Sequence, residues 1–257
     1  RYTNISPTFR SDLGFITQND VKKYEIWHGY YSFPNTQLIK NYRLSAKYDR
    51  EYNYDNSLKM SAIQAYFTFL TVYNTNVFYN YEYDFYNSHL MSDFKDYINH
   101  YSRLSSRPFE FMDIQMSYAW GKDIAYREAI PKLGIRSNLD FKMAVNINNN
   151  LRLTPSINFE KLKKIDSEEY FFDGYIARLD FRYQFNTAFN FRVISEYNEF
   201  SDKFFVQPLI SWRPNPDTIF YFGGNQNYVD EFIDYNSPNY MVNKTQLFLK
   251  FQYLIKS

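Results

Sequence analysis

The charged residues with the most regular spacing lie in two neighbouring segments of the chain. Arg178, Asp180 and Arg182 alternate with other residues in the first segment, and Arg192 and Glu196 follow in the second. Because successive side chains of a β-strand point to opposite faces, this spacing places both charge signs on one face of adjacent strands. Such charges either pair with one another in a closed interior or set the selectivity of a pore. Pairing is the simpler interpretation.

Two pairs of carboxylates could in principle cleave glycosidic bonds, because glycosidases use two carboxyl groups at a defined separation. Glu82 and Asp84 share one strand face, and Glu168 and Glu169 lie in a polar segment. Acidic residues two apart on a strand more commonly line a hydrated surface, and the acids near Glu168 lack the spacing of a calcium loop. We therefore expect no catalytic residues, and an enzymatic role is the less favoured hypothesis.

The remaining chemistry-bearing residues indicate neither a metal nor a cofactor. His28, His89 and His100 are scattered without the spacing of a zinc site, and the chain has no cysteine. Neither a phosphate-binding glycine loop nor a serine nucleophile elbow is present. We expect no bound metal and no cofactor.

Composition narrows the class of protein further. The 257 residues carry a net charge of +1 and include 27 Tyr, 26 Phe and 3 Trp. A balanced charge gives no electrostatic reason to bind nucleic acid. The apolar runs are too short for a membrane-spanning helix, which needs about 20 mostly apolar residues.

Alternation with a period of two dominates the chain and predicts an all-β fold. Tyr42, Leu44, Ala46 and Tyr48 share one face, for example, and the residues between them share the other. The pattern predicts about 13 strands, of which the one at 94–104 is weakly patterned. They fall near residues 22–33, 38–49, 58–71, 76–86, 94–104, 110–120, 135–147, 151–161, 174–185, 189–197, 204–212, 218–227 and 244–255.

Two kinds of connection are expected between these strands. Compact turns near residues 34–36, 74–75, 108, 148–150, 186–187 and 214–217 alternate with mostly longer polar loops near 50–57, 87–93, 121–134, 162–173, 198–203 and 228–243. Short turns on one side and longer loops on the other are typical of an antiparallel transmembrane β-barrel of the outer membrane. Residues 1–21 would lead into a single barrel domain, residues 22–257. Because such barrels normally have an even number of strands, an odd count means either that further strands precede Arg1 or that the count is wrong by one. The C-terminal part of a larger barrel is the favoured interpretation.

The alternative is a soluble β-sandwich or β-barrel with an apolar core. Its inward face would be mostly Val, Ile and Leu, because a buried tyrosine needs a partner for its hydroxyl group. Tyrosine dominates the apolar face of many strands here. Tyrosine is typical of the aromatic girdles of membrane barrels, so the membrane interpretation is favoured.

Several segments at the two ends of the chain carry a resemblance to a known family. They are residues 9–16, 20–23, 31–34, 177–179, 183–185, 191–192, 196–198, 208–212, 215–221 and 248–251. These segments resemble a family of Bacteroidota outer-membrane β-barrel proteins of unassigned function. The resemblance covers the first thirty and last eighty residues well and the middle only in pattern. Fuller members of this family carry an N-terminal domain similar to family 9 carbohydrate-binding modules, which is absent here.

These observations lead to an expected function at the bacterial outer membrane. The leading hypothesis is binding or transport at the cell surface, with a saccharide as the cargo that the resemblance implies. A structural subunit of a multi-protein outer-membrane complex is the alternative, and a membrane-embedded hydrolase is the third. The expected partners are the lipid bilayer, other outer-membrane proteins and a saccharide, but not nucleic acid.

Overall fold

The computed structural model describes residues 1–10, 19–34, 36–89, 92–230 and 240–254. It is all-β, with 14 antiparallel strands in one sheet, and each strand is hydrogen-bonded to the strands that precede and follow it in sequence. The strands are β1 (Tyr2–Ile5), β2 (Val21–Ser32), β3 (Ile39–Tyr52), β4 (Leu58–Thr71), β5 (Thr75–His89), β6 (Ser92–Phe109), β7 (Met112–Ile124), β8 (Leu133–Asn146), β9 (Leu151–Lys164), β10 (Tyr170–Gln184), β11 (Phe189–Asn198), β12 (Lys203–Asn215), β13 (Thr218–Asp230) and β14 (Tyr240–Tyr253). A 3₁₀ turn, Glu199–Ser201, precedes β12.

The predicted count of 13 strands is wrong by one, because the four-residue strand β1 was not recognised. It pairs with the start of β2, where Tyr2 lies opposite Tyr24 and Ile5 opposite Val21. Four residues are too few to show a periodic pattern, so this segment was predicted to belong to the N-terminal segment at residues 1–21. The described residues thus form an even number of strands. Residues 11–18 of that predicted N-terminal segment lie outside the described residues.

The weakly patterned strand at 94–104 is present as β6, and it is the longest strand at 18 residues. Its alternation is interrupted at Asp96, whose φ of 52° is in the left-handed region. Phe94 and Tyr97 are both buried although they are an odd number of positions apart. A regular strand would place them on opposite faces, so the irregular residue hides the pattern from the sequence.

The connections differ less in length than the sequence predicts. The connection between Ser32 and Ile39 was predicted to be a compact turn. It is nevertheless longer than the connection between His89 and Ser92, which was predicted to be a loop. Strands extend into most of the predicted loops, so the loop expected at 121–134 spans only the residues between Ile124 and Leu133. The residues at the strand ends are polar and were therefore predicted to be loop, although they continue the hydrogen-bonded ladder of the sheet.

Close packing divides the chain into two units. Unit 1 contains Arg1–Ser106, Ser117–Asn138 and Lys161–Phe172, and unit 2 contains Arg107–Met116, Leu139–Glu160 and Asp173–Ser257. In unit 1, Gly121 has a φ of +124°, and a Cβ atom there would lie 2.3 Å from the carbonyl oxygen of Ile98. In unit 2, a Cβ atom on Gly223 would lie 2.7 Å from the ring of Phe248.

Few apolar side chains are buried among the described residues. Several of those that are buried are alanines, and the one cluster of buried apolar residues joins Phe94, Tyr97 and Ile124 in unit 1. None of the described helices has the length and apolar character required to span a bilayer. The strands are therefore held mainly by their backbone ladders and by contacts across each face.

Candidate functional site

All five charged residues predicted from the sequence share one face of β10 and β11 in unit 2. Arg178 lies directly opposite Glu196 and donates a hydrogen bond to it from Nη1, with a length of 3.2 Å. Arg182 donates two hydrogen bonds to Asp180 on its own strand, 3.0 Å from Nε and 2.8 Å from Nη2. Such two-pronged pairing is the strongest geometry for a guanidinium and a carboxylate.

The fifth residue, Arg192, lies opposite Arg182. Its Nε is buried without a hydrogen-bond partner. Among the described residues it forms neither an ion pair nor a hydrogen bond, although it is close enough to Asp180 to interact electrostatically with that carboxylate. Like charges directly opposite each other on a sheet destabilise it. The predicted charge ladder therefore consists of two ion pairs and one arginine, Arg192, whose Nε has no partner.

A cavity of about 1090 Å³ lies beside these residues in unit 2. Arg182 and Arg192 line it together with Arg152 at the start of β9. Amide side chains from the turn between β8 and β9 and from the start of β11 complete much of the polar wall, among them Asn148 and Asn190. Arg152 was not predicted as a site residue, although it begins the alternating segment that follows the three-asparagine turn.

The opposite face of unit 2 is apolar and exposed. Leu249 on β14 is 75% exposed, and Trp212 and Phe222 are exposed on β12 and β13. Aromatic rings contact one another across these strands: Trp212 packs on Phe220, and Phe220 packs on Phe251. Unit 2 thus presents one charged face and one apolar face, and the apolar face is accessible.

Unit 1 has a second charged face that the sequence analysis did not identify. On β2 and β3, Lys47 contacts Asp49 at 2.5 Å and Glu25 at 3.7 Å, and Lys23 contacts Glu51 at 3.8 Å. Asp49 is only 2% exposed. Lys23 and Glu25 are two residues apart, as are Lys47 and Asp49. This is the same spacing of opposite charges that predicted the charged face at Arg178, Asp180 and Arg182, so the sequence could have predicted this face as well.

The other face of unit 1 carries an aromatic cluster around His100. The ring of His100 stacks on Trp120 with centroids 4.9 Å apart, and its Nδ1 lies 2.8 Å from the hydroxyl of Tyr79. Tyr81 and Tyr118 extend the cluster. His100 is therefore a member of an aromatic surface. His28 lies on β2 and His89 at the end of β5, in separate surroundings.

The two carboxylate pairs have different surroundings. On β5, Glu82 accepts a hydrogen bond of 2.6 Å from Gln64, and Asp84 is buried opposite Tyr97 on β6. After β9, Glu168 pairs with Lys163 at 2.6 Å and Glu169 with Lys164 at 2.5 Å. The hydrogen bond from Lys164 lowers the pKa of Glu169 below its usual value. Both loop carboxylates are thus neutralised by lysines.

A smaller cavity of about 590 Å³ lies in unit 1 where the loops before β8 and β10 approach the start of β6. Asp93, Asp166 and Lys132 contribute charge to its wall, and Phe94 and Phe171 contribute apolar surface. Within the described ranges, no three acidic or histidine side chains are grouped closely enough to hold a metal ion.

Comparisons of the chain with protein-family models, with curated proteins and with solved structures found no match. The fold and the distribution of side chains therefore carry the functional argument. They define an all-β chain whose single antiparallel sheet is compatible with a membrane. Each unit has a charged face and an apolar face with aromatic side chains, and the buried carboxylates Asp49, Glu51 and Asp84 lie in unit 1.

Proposed function

We propose that the 14 strands belong to a closed transmembrane β-barrel of the bacterial outer membrane, with the charged faces turned toward the interior. The main observation behind this proposal is that charged side chains are buried while large apolar side chains are exposed. Asp49 and Asp84 are buried, while Ile26, Leu44 and Leu249 are exposed on the opposite faces. In water, exposing an extended apolar face is unfavourable by about 25 cal/mol for each Å². In a bilayer the same face is in its preferred environment.

The total accessible surface supports the same proposal. The protein exposes 17606 Å², whereas a soluble folded monomer of 31.2 kDa exposes about 12,000 Å² by size scaling. A soluble β-sandwich of this length would instead bury many aliphatic residues between its sheets. In the described part of the chain few apolar residues are buried, and four of them are alanines, including Ala62, Ala119 and Ala144.

Charge placement also favours a membrane. A charged side chain on the lipid face costs on the order of 2–4 kcal/mol near the bilayer midplane. The ion pairs of Lys47 and Arg178 both lie on the charged faces, on the side of the sheet away from the apolar faces. The rings of Tyr79, His100 and Trp120 on the apolar face suit the headgroup layer, where amphipathic aromatics concentrate.

Within this architecture, the favoured function is binding or transport at the cell surface, with a saccharide as the proposed cargo. The support is the arginine-lined cavity together with the resemblance to the Bacteroidota barrel family. A structural subunit of a multi-protein outer-membrane complex is the second candidate. It is favoured by the partly exposed aromatic cluster around Trp120, which could also contact a neighbouring barrel.

Two measurements separate these functions. Ion conductance of the purified protein in planar bilayers is expected if the interior is an open passage. Replacing Arg178, Arg182 and Arg192 with Gln should then shift the selectivity toward cations, because charged walls set the selectivity of a pore. Stoichiometric partners that co-purify in mild detergent, together with absent conductance, would refute transport and support the structural role.

The proposed orientation places the β7–β8 loop outside the cell and the β8–β9 turn in the periplasm. The chain contains no cysteine, so single cysteines can report accessibility. The exposed residues Ala129 and Asn149 lie in that loop and that turn, respectively. In intact cells, an impermeant maleimide should label Ala129→Cys but not Asn149→Cys, whereas both should react in lysed cells. The reverse pattern would mean that the barrel is inverted.

A further inference from the structure

The cavity in unit 2 has an unbalanced charge at its wall. Arg152, Arg182 and Arg192 line it, and Glu110 is the acidic residue among the lining side chains. The three guanidinium groups come from three consecutive strands, β9 to β11. Their convergence on one cavity is a property of the sheet register.

The three arginines differ in how well they are satisfied. Arg182 is committed to Asp180 through two hydrogen bonds. Within the described part of the chain, Arg152 makes only a long hydrogen bond of 3.4 Å to the side chain of Asn146. Arg192 has a buried Nε without a partner and lies directly opposite Arg182. An oxyanion bound at the cavity wall beside Arg182 and Arg192 would accept hydrogen bonds from their guanidinium groups and relieve the repulsion between them.

The rest of the cavity suits a polyhydroxylated molecule. The amides of Asn146, Asn190 and Gln184 line it and can both donate hydrogen bonds to and accept them from hydroxyl groups. Phe111 and Phe191 are also among the lining residues. Its volume of about 1090 Å³ is at the upper end of the range for small-molecule sites, about 300–1,000 Å³. That volume accommodates a short oligosaccharide.

We propose that this cavity binds a saccharide that carries carboxylate groups, with Arg192 and Arg152 as the anion-binding residues. This inference rests on the saccharide cargo proposed above and narrows it to an acidic class. Neutral saccharides would leave the repulsion between Arg182 and Arg192 uncompensated, so the site discriminates against them. Charge-assisted hydrogen bonds of this type are about twice as strong as those between neutral groups.

The test is isothermal titration of the detergent-folded full chain with trigalacturonate, with maltotriose as the neutral probe and inorganic sulfate as the free-oxyanion probe. We expect trigalacturonate to bind at least about tenfold more tightly than either, since each charged hydrogen bond contributes on that scale. Equal affinity for maltotriose would overturn the acidic class. Equal affinity for sulfate would show that an oxyanion alone is recognised and would overturn the saccharide assignment.

Four variants locate the site. Arg192→Gln should weaken trigalacturonate binding by about tenfold or more, and Arg192→Lys should weaken it less, because the charge remains. Asn190→Asp leaves all arginines in place but adds a negative charge to the cavity, and it should also weaken binding. Arg213→Gln is the matched control, because Arg213 is exposed in unit 2 and does not line the cavity. Unchanged binding in both Arg192→Gln and Asn190→Asp would overturn the proposal.

Failure of this inference can be distinguished from failure of the barrel proposal. Heat-modifiable gel mobility reports folding of the barrel in each variant, independently of any ligand. A wild-type protein that folds and inserts but does not bind trigalacturonate would refute the acidic-saccharide site alone. A protein that never becomes heat-modifiable or membrane-inserted would refute the barrel proposal itself.

Discussion

Two ion pairs in the protein differ in burial, and their removal should have different costs. The Lys47–Asp49 pair has side-chain exposures of 23% and 3%, whereas the Arg182–Asp180 pair has exposures of 57% and 15%. Replacing each aspartate with asparagine removes one charge at nearly constant volume. Solvent screens the second pair much more effectively than the first.

The expected magnitudes follow from these exposures. Removing one partner of a fully buried pair costs about 3–5 kcal/mol, because the other charge stays desolvated. In Asp49→Asn, Lys47 keeps Glu25 at 3.7 Å and Lys23 keeps Glu51 at 3.8 Å. We therefore expect a loss of about 2 kcal/mol, below that range. For Asp180→Asn, the screened pair should cost about 1 kcal/mol or less.

The assay is urea unfolding of the protein in lipid vesicles, monitored by tryptophan fluorescence and by heat-modifiable gel mobility. The difference between the two variants in the free energy of unfolding is the measured quantity. The double variant Lys47→Met/Asp49→Leu is a control and should recover most of the loss, because no unpaired charge remains. Equal losses in Asp49→Asn and Asp180→Asn would refute the assignment of one pair to a desolvated interior and the other to a hydrated one.

Two further predictions concern the backbone and a loop. Gly121→Ala should destabilise the protein by about 1–3 kcal/mol, because Gly121 has a φ of +124° and the new Cβ would meet the carbonyl oxygen of Ile98 at 2.3 Å. Gly29→Ala, whose nearest obstacle is the Trp27 side chain, should cost less in the same urea experiment, and the opposite order would contradict the strain argument. Lys164→Gln should raise the pKa of Glu169 toward the ordinary glutamate value, since the hydrogen bond from Lys164 lowers it. In the wild type, the stabilisation from this pair is complete above the pKa that Glu169 has in the unfolded chain, and it is lost as the pH falls through the lower pKa of the folded state. Carboxyl-carbon NMR titration measures the pKa of Glu169 in both proteins. An unchanged midpoint in the variant would refute the pairing.

The sequence predicted the strands well wherever two faces of different polarity alternate without interruption. β10 and β11 are examples, because Arg178, Asp180 and Arg182 maintain the period over the whole charged segment. β6 was only weakly visible, since the left-handed Asp96 shifts the alternation within the strand. β1 was missed because four residues give no period to measure.

The predicted site residues illustrate a different limit. Alternation placed Arg178, Arg182 and Arg192 on one face, but the ion-pair partner of each arginine depends on the register between strands. That register puts Arg178 opposite Glu196 and Arg182 opposite Arg192, and a shift of two residues would have produced other pairs. The contribution of Arg152 to the cavity likewise depends on the spatial order of β9 to β11, which the spacing within one strand does not encode.

The central claim is that the apolar faces contact lipid and the charged faces do not, and the three tryptophans test it directly. Trp120 and Trp212 lie on the apolar faces, stacked on His100 and Phe220. Trp27 lies on the charged face of unit 1, where the guanidinium of Arg43 is 4.7 Å from its ring centroid. Three single-tryptophan variants, each with the other two replaced by Phe, should be reconstituted in vesicles with brominated acyl chains. The account predicts strong fluorescence quenching of Trp120 and Trp212 and little quenching of Trp27. Quenching of Trp27 to the same extent, or quenching of none of the three, would contradict it.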